Sequence, residues 1–207
     1  WTLPSNLALC VHPTMEYVKF FATDNEENTK KCYVVLKERV TALFPPKKKV
    51  KVDGKDVPRW KIDVIDTFPG STLVGKKYEP IFPYFKEKWS NRAFRVVADT
   101  YVTADAGTGV VHIAPFFGED DNRIGYATGI IEKGGDVLCP VDVDGCLTEE
   151  VTDFAGCLVT ERPCKPEEAD AAKPWLVPRS AENPRKTTNQ KIILKLQETG
   201  RFFEQKD

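Results

Sequence analysis

The sequence predicts an α+β fold that is rich in strands, and two observations carry this prediction. Short segments of β-branched or alternating apolar residues recur along the chain, and many of them are bounded by glycine or proline, of which the chain has 13 and 15. This pattern is typical of strands joined by turns. Helical spacing or helix boundaries occur in the stretches 32–44, 119–130 and 189–200. With 41% hydrophobic residues the chain can bury a core, and we expect a single domain over residues 1–207.

The first part of the chain predicts strands, a helix and a turn. Strand-forming residues fill two segments before residue 25, and the segment 32–44 begins as a strand and continues with helical spacing. Two prolines then stop the helix, and Asp53-Gly54 supplies a turn in a loop or irregular hairpin. From Trp60 to Tyr84 we expect short, edge-like strands, because proline lacks the backbone donor that a central strand needs.

The second part predicts a hairpin, two helices and a loop. Two alternating segments flank residues 104–109, where Asp105 and Gly107 favour a hairpin turn. A short capped helix follows over 119–130, and a later helix ends at Gly200. The proline-rich, charged residues 161–184 between these helices predict a surface insertion or loop.

Composition narrows the possible classes of protein. The 30 Lys and Arg nearly cancel the 31 Asp and Glu, so any polyanion must be bound by a local basic patch. The six cysteines lack metal-binding spacing, which favours reduced thiols in the cytoplasm and no metal site. Apolar runs fall short of the roughly 20 residues that span a bilayer, so we expect no membrane partner. Because the chain opens on Trp1 rather than Met, we also expect a segment of a longer polypeptide.

The stretch "GTGVVHIAPFFGEDD", residues 107–121, has the features of a site. Strand alternation directs Val110, His112 and Ala114 to one face. The three acids that follow lie at a predicted helix N-terminus, where the helix dipole favours an ionised carboxylate that could bind an ammonium group. Each feature also has a structural reading: the acid as a helix cap, the histidine as a core residue and the glycines as a turn.

Several motifs together carry a resemblance to a known family. "WTLPSN" (1–6) and the stretch 107–121 resemble two signature segments of the editing (CP1) domain of isoleucyl-tRNA synthetases, class I aminoacyl-tRNA synthetases that act in protein biosynthesis. "GSTLVGKKYEPIFPYF" (70–85) and "EEVTDFAGCLV" (149–159) resemble connecting motifs of that domain. Valyl relatives typically carry Lys where His112 stands, and the "FFGEDD" form resembles the eukaryotic or archaeal branch.

The resemblance implies the editing-domain fold shared by the valyl, isoleucyl and leucyl enzymes, with a barrel-like core. It implies proofreading: hydrolysis of the valyl ester on tRNA(Ile), and of valyl-adenylate. One methylene separates valine from isoleucine and is worth about 1–3 kcal/mol, so a synthetic site rejects valine poorly; these enzymes are themselves the standard illustration of that limit. The implied partners are the 3′ acceptor end of tRNA(Ile), valine, and the catalytic body of the parent ligase in the same chain. The parent would be cytoplasmic and use ATP and Mg²⁺, while the editing domain would need no cofactor.

The resemblance also implies roles for individual residues. Asp121 would anchor the substrate α-ammonium, and His112 would limit side-chain size and orient the ester. Thr2 is the third catalytic candidate, in a segment where Trp1 and Asn6 would line the pocket and the terminal adenosine. The other implied substrate-binding residues are Thr108, Gly109, Val110, Phe117, Gly118 and Asp120.

Three alternatives stay open at this point: a non-catalytic module that binds the acceptor end of tRNA, the editing domain of a valyl-tRNA synthetase, and a free-standing trans-editing hydrolase. A binding-only module has no need of an ammonium-binding acid such as Asp121. Candidate phosphate contacts are "KKKVK" (47–51), Lys76-Lys77 and Lys86/Lys88, although the first run is equally typical of a solvated loop.

Overall fold

A computed structural model describes the backbone of residues 1–164, 176–178 and 186–203. The chain divides into two compact units. The first comprises Trp1–Ser5, Glu79–Trp89 and Gly134–Asp207, and the second comprises Asn6–Tyr78 and Ser90–Lys133. The expectation of one domain over 1–207 stays a prediction.

The described elements are mostly short. The strands are β1 (Ala8–Val11), β2 (Glu16–Asp24), β3 (Thr29–Leu36), β4 (Lys49–Val52), β5 (Lys55–Pro58), β6 (Trp60–Pro69), β7 (Arg95–Ala98), β8 (Val110–Ile113), β9 (Arg162–Cys164) and β10 (Leu176–Pro178). The α-helices are α1 (Val40–Leu43), α2 (Lys86–Trp89), α3 (Glu119–Ala127) and α4 (Thr188–Glu198), with 3₁₀ turns at Leu3–Ser5, Lys37–Arg39 and Gly70–Leu73.

A three-stranded mixed sheet in the second unit has the order β7-β1-β8. The central strand β1 runs parallel to β7 and antiparallel to β8, so that Leu9 faces Val96 on one side and His112 on the other. The expected hairpin around residues 104–109 is therefore wrong, because β1 lies between its two predicted strands. Both segments are strands, but each pairs with β1, an almost wholly buried strand from the start of the chain.

A second sheet in this unit has the order β3-β2-β6. Alternate residues of β2 point inward, and Phe20 packs edge-on against Phe44, which follows α1. This packing explains why 32–44 turns from strand to helix: the short helix returns apolar residues to the same core. Strand β6 lies at the sheet edge as expected, but at ten residues it is longer than expected. An irregularity in its pairing with β2 falls between Lys19 and Phe20.

A two-stranded hairpin, β4–β5, completes the sheets of the second unit. Its turn residues Asp53 and Gly54 both have positive φ, 49° and 77°, the backbone that a tight two-residue hairpin requires. The turn prediction is confirmed, and the hairpin is regular. At its base, Arg59 Nη2 lies 3.0 Å from a carboxylate oxygen of the buried Asp24.

The first unit has its own packing. Helix α4 begins with a capping box in which the Thr187 hydroxyl accepts the Gln190 N–H. The Thr188 hydroxyl donates to the Leu158 carbonyl at 2.8 Å, and Lys195 pairs with Asp153 at 2.7 Å. The helix prediction for the end of the chain is confirmed. Most of the predicted insertion at 161–184 lies outside the described residues, except that the backbones of β9 and β10 pair in parallel.

The predicted α+β, strand-rich class is confirmed. The barrel-like core is not found as a closed barrel in the described residues, because every sheet there has two or three strands. A closed barrel needs an unbroken ring of paired strands, about eight in the small barrels, and none of these sheets pairs its last strand with its first. Among the described residues, none of the helices has the length and apolar composition that a membrane span requires.

Candidate functional site

Asp121 occupies the third position of α3, which follows β8 after the connection 114–118. One carboxylate oxygen, Oδ2, accepts the backbone N–H of buried Ala114 at 2.8 Å. A Cβ at Gly118 would lie 3.2 Å from Cγ of Asp121, so glycine lets the backbone approach this carboxylate closely. The other oxygen, Oδ1, accepts no hydrogen bond from any described residue. Asp121 is therefore both a structural acceptor and a carboxylate with one oxygen available to a ligand.

His112 lies in β8, on the same face as Val110, as alternation predicts. Burial lowers the pKa of His112, while the negative charge of Asp121 acts in the opposite direction. The imidazole is therefore neutral at pH 7 and lies within the electrostatic influence of Asp121. Such a group can act as a steric wall or a hydrogen-bonding partner without adding positive charge to the site.

Arg123 joins the start of α3 to the residue that follows β7, because its side chain pairs with an acid in each. Its guanidinium forms a bidentate pair with Asp99, at 2.8 and 3.1 Å, and also contacts Asp120 at 3.0 Å. The pair with Arg123 lowers the pKa of Asp99 and keeps it ionised. Asp120, predicted to bind substrate, is thus engaged by a cation in this structure. Sequence reasoning missed Arg123, since its partner Asp99 lies 24 residues away and gives no local signal.

The glycine-rich segment 107–109, which precedes β8, has a structural role. The Gly109 carbonyl accepts the Tyr17 hydroxyl at 2.5 Å, and Gly109 has φ 77° with no room for a Cβ, which would lie 2.4 Å from Cβ of Leu36. The Thr108 hydroxyl donates to the Val110 carbonyl at 3.1 Å. Substrate binding by Thr108, Gly109 and Val110 stays a prediction.

The remaining predicted residues are divided between the units. In the second unit, Asn6 is buried with both ends of its amide engaged: Nδ2 donates to the Ala8 carbonyl at 2.7 Å, and Oδ1 accepts the Tyr78 hydroxyl at 2.5 Å. Phe117 closes a turn by donating its N–H to the Ala114 carbonyl at 3.0 Å.

In the first unit, the Thr2 carbonyl accepts the Ser5 N–H at 2.9 Å, and Trp1 precedes it. The predicted substrate contacts of Asn6, Phe117, Trp1 and Thr2 remain untested.

The region around Asp121 offers charged groups for binding rather than a reactive thiol or a cluster of metal ligands. Burial raises the pKa of Cys10 to about 12, with Asp99 as the next cause, so this thiol is protonated at neutral pH. It is therefore a poor nucleophile. No group of three or more His, Cys, Asp or Glu side chains in the described residues could hold a metal ion. The arrangement can hold a cation at Asp121, and the imidazole whose pKa this acid influences is neutral.

Comparison with curated proteins identifies the relatives of this chain, although no family model matches it. It is 45% identical over 194 residues to the cytoplasmic isoleucine–tRNA ligase of Arabidopsis thaliana, covering 86% of this chain and 16% of that protein. The cytoplasmic enzyme of Mus musculus is 44% identical over 161 residues, covering 78% and 12%. The isoleucine–tRNA ligase of Chlamydia muridarum is 38% identical over 156 residues, covering 75% and 13%.

These relatives are all tRNA ligases. The chain is homologous to one segment of the isoleucine–tRNA ligases, and it spans between 12 and 16% of the length of the first two relatives. Among solved structures, the crystal structure of GlLeuRS-CP1 matches with a TM-score of 0.41 and 19% identity, covering 63% of this chain and 46% of that chain. That likeness is too weak to carry an argument.

Proposed function

We propose that this chain is the proofreading segment of an isoleucine–tRNA ligase and hydrolyses valine from misacylated tRNA(Ile), and valyl-adenylate as well. The single observation that carries the proposal is Asp121: a carboxylate fixed through one oxygen by the Ala114 N–H, with the other oxygen open. Homology to isoleucine–tRNA ligases over 78–86% of the chain supports the same conclusion.

The geometry of Asp121 suits an α-ammonium group. A carboxylate held at one oxygen keeps its second oxygen in a defined direction, and hydrogen bonds between ammonium and carboxylate are short and strong. Asp121 lies in the first turn of α3, at the positive end of the helix dipole. An aminoacyl ester carries one such ammonium beside the carbonyl carbon that water attacks, so anchoring the ammonium also fixes the ester.

His112 suits a selective role better than that of a general base, because burial lowers the pKa of its imidazole and makes it a weaker base. Its neutral ring lies in β8, where it can exclude a longer side chain and orient the ester. Water positioned by the ribose hydroxyl and by backbone groups then attacks the ester. Bond cleavage releases valine and leaves the tRNA with its terminal hydroxyl.

The proposed partners are the 3′ acceptor end of tRNA(Ile) and the catalytic body of the parent ligase, in the same polypeptide. The parent would use ATP and Mg²⁺ for aminoacylation, whereas the ester hydrolysis proposed for this segment needs neither. We place it in the cytoplasm, where the names of the Arabidopsis and mouse relatives place those proteins.

The test measures deacylation by the full-length ligase that contains this chain. We expect valyl-tRNA(Ile) to be hydrolysed much faster than isoleucyl-tRNA(Ile). Hydrolysis of neither ester, with tRNA binding intact, would instead support a non-catalytic binding module. Preferential hydrolysis of threonyl-tRNA(Val) would support a valyl-type editing domain.

A further inference from the structure

The β4–β5 hairpin carries a concentration of positive charge that the proposed hydrolytic site does not use. Residues 45–58 contain five lysines and two aspartates, a net charge of +3 in a chain whose overall charge is −1. All five lysines are exposed: Lys47, Lys48, Lys49, Lys51 and Lys55. None of their side chains makes an ion pair or hydrogen bond with a described residue.

The pairing register of the hairpin determines which of these lysines share a face of the strand pair. Lys49 and Lys51 lie on one face, two residues apart and therefore about 7 Å apart along the strand. Their partners across the ladder are Pro58 and Asp56. The intervening Val50 belongs to the opposite face and is partly buried. Asp56 offsets some of the charge at Lys51, and Lys49 has no acidic neighbour across the ladder.

The hairpin is fixed at its base and open along its basic face. Arg59, the residue after β5, is already neutralised by the buried Asp24 and by Glu26, at 3.0 and 3.3 Å. The Asn25 amide donates to the Pro58 carbonyl at 2.8 Å. These contacts anchor the hairpin to the turn after β2 and leave the lysines facing solvent. A regular, anchored strand pair holds its charges in a fixed row, unlike a flexible lysine-rich loop.

We propose that this face binds the phosphate backbone of the tRNA. Lys49 and Lys51 lie on β4, and Lys47 and Lys48 directly precede it. The proposal rests on the proposed function, which supplies tRNA as the partner. Lysine is a point-charge binder of phosphate that carries no sequence information. The hairpin therefore orients the tRNA, whereas Asp121 and His112 recognise the amino acid.

The experiment measures binding of a fluorescent tRNA(Ile) transcript to the 207-residue chain across a series of KCl concentrations. The test variant is Lys49→Ala/Lys51→Ala. The matched control is Lys19→Ala/Lys133→Ala, which removes the same charge from two other exposed lysines. Each phosphate contact adds about 0.7 to 0.9 to the slope of log affinity against log salt. The test variant should lower that slope by about 1.4 to 1.8, which corresponds to a roughly 25- to 60-fold loss at 0.1 M KCl.

Several results would overturn the proposal. These are equal losses in the test and control variants, an unchanged slope in the test variant, and no tRNA binding by the wild-type chain at low salt. Loss of binding to phosphatidylserine vesicles with tRNA binding unchanged would assign the face to a lipid surface instead.

Failure of the proposed function gives a different pattern, namely hairpin-dependent tRNA binding by a ligase that does not hydrolyse valyl-tRNA(Ile). If both proposals hold, Asp121→Asn loses hydrolysis and keeps the full salt dependence of binding.

Discussion

Replacing Asp121 with asparagine should destabilise the fold moderately, because the side chain has a structural contact as well as a proposed catalytic one. Asparagine keeps an oxygen that can accept the Ala114 N–H, but it removes the negative charge at the start of α3. Alanine removes both, and it leaves the N–H of buried Ala114 without its acceptor.

The magnitudes follow from these two contacts. A hydrogen bond to a charged group is worth about 1.5–3 kcal/mol and a neutral one about 0.5–1.5 kcal/mol, so losing the charge on the acceptor costs roughly 1 kcal/mol. Losing an acid in the first turn of a helix costs about 0.3–1 kcal/mol more. We expect Asp121→Asn to lower the free energy of unfolding by about 1.3–2 kcal/mol. We expect Asp121→Ala to lower it by about 2–4 kcal/mol.

Urea unfolding of the 207-residue chain, followed by tryptophan fluorescence, measures both changes from the midpoint at constant m-value. Glu119→Gln is the matched control, because Glu119 is an exposed acid in the same helical turn whose side chain has no hydrogen bond or ion pair in the described residues. It should report the helix-dipole contribution alone, below about 1 kcal/mol. If Asp121→Ala is as stable as Glu119→Gln, the hydrogen bond to Ala114 does not hold the carboxylate, and our account of its orientation is wrong.

Three further predictions test the surroundings of the site. His112→Ala should allow the full-length ligase to hydrolyse isoleucyl-tRNA(Ile) at a rate approaching that for the valyl ester, and unchanged discrimination would remove the proposed steric role. Arg123→Ala should reduce the amount by which the free energy of unfolding falls at acid pH. Because the pKa of Asp99 is lowered by Arg123, its stabilising contribution is complete above an ordinary aspartate pKa of about 4 and is lost as pH falls below it. The urea midpoints of wild type and variant should therefore differ at pH 6, and the difference should shrink as pH falls below about 4; a pH-independent difference would contradict this. Tyr17→Phe should cost about 1–3 kcal/mol in urea unfolding, because the buried Gly109 carbonyl loses its donor; a change below about 0.5 kcal/mol would show that this contact is dispensable.

Local sequence signals predicted much of the region around the site. Alternation placed His112 with Val110 on one face of β8, and the acidic run after Gly118 predicted the start of α3. The Asp53-Gly54 pair predicted the hairpin turn correctly, because positive φ at two consecutive residues is a local requirement. Each of these features depends on residues within a few positions of one another.

Features that depend on distant partners were not predictable in this way. Alternating patterns identify a strand but not its neighbours, so nothing in residues 95–113 indicated that β1 would lie between β7 and β8. The Arg123–Asp99 pair and the contact of Tyr17 with Gly109 likewise join segments 24 and 92 residues apart. The sequence also left open whether an acid in the run 119–121 caps the helix, but α3 has no side-chain cap, and Asp121 instead accepts the N–H of Ala114, seven residues earlier.

The central claim is that Asp121 anchors the ammonium group of a misacylated amino acid. Its most direct test is the single-turnover hydrolysis of valyl-tRNA(Ile) by the full-length ligase, comparing wild type with Asp121→Asn. Loss of a hydrogen bond to a charged group, worth about 1.5–3 kcal/mol, predicts roughly 10- to 150-fold slower hydrolysis with aminoacylation unchanged. Equal rates for the two proteins would contradict the claim and leave Asp121 with only its structural hydrogen bond to the Ala114 N–H.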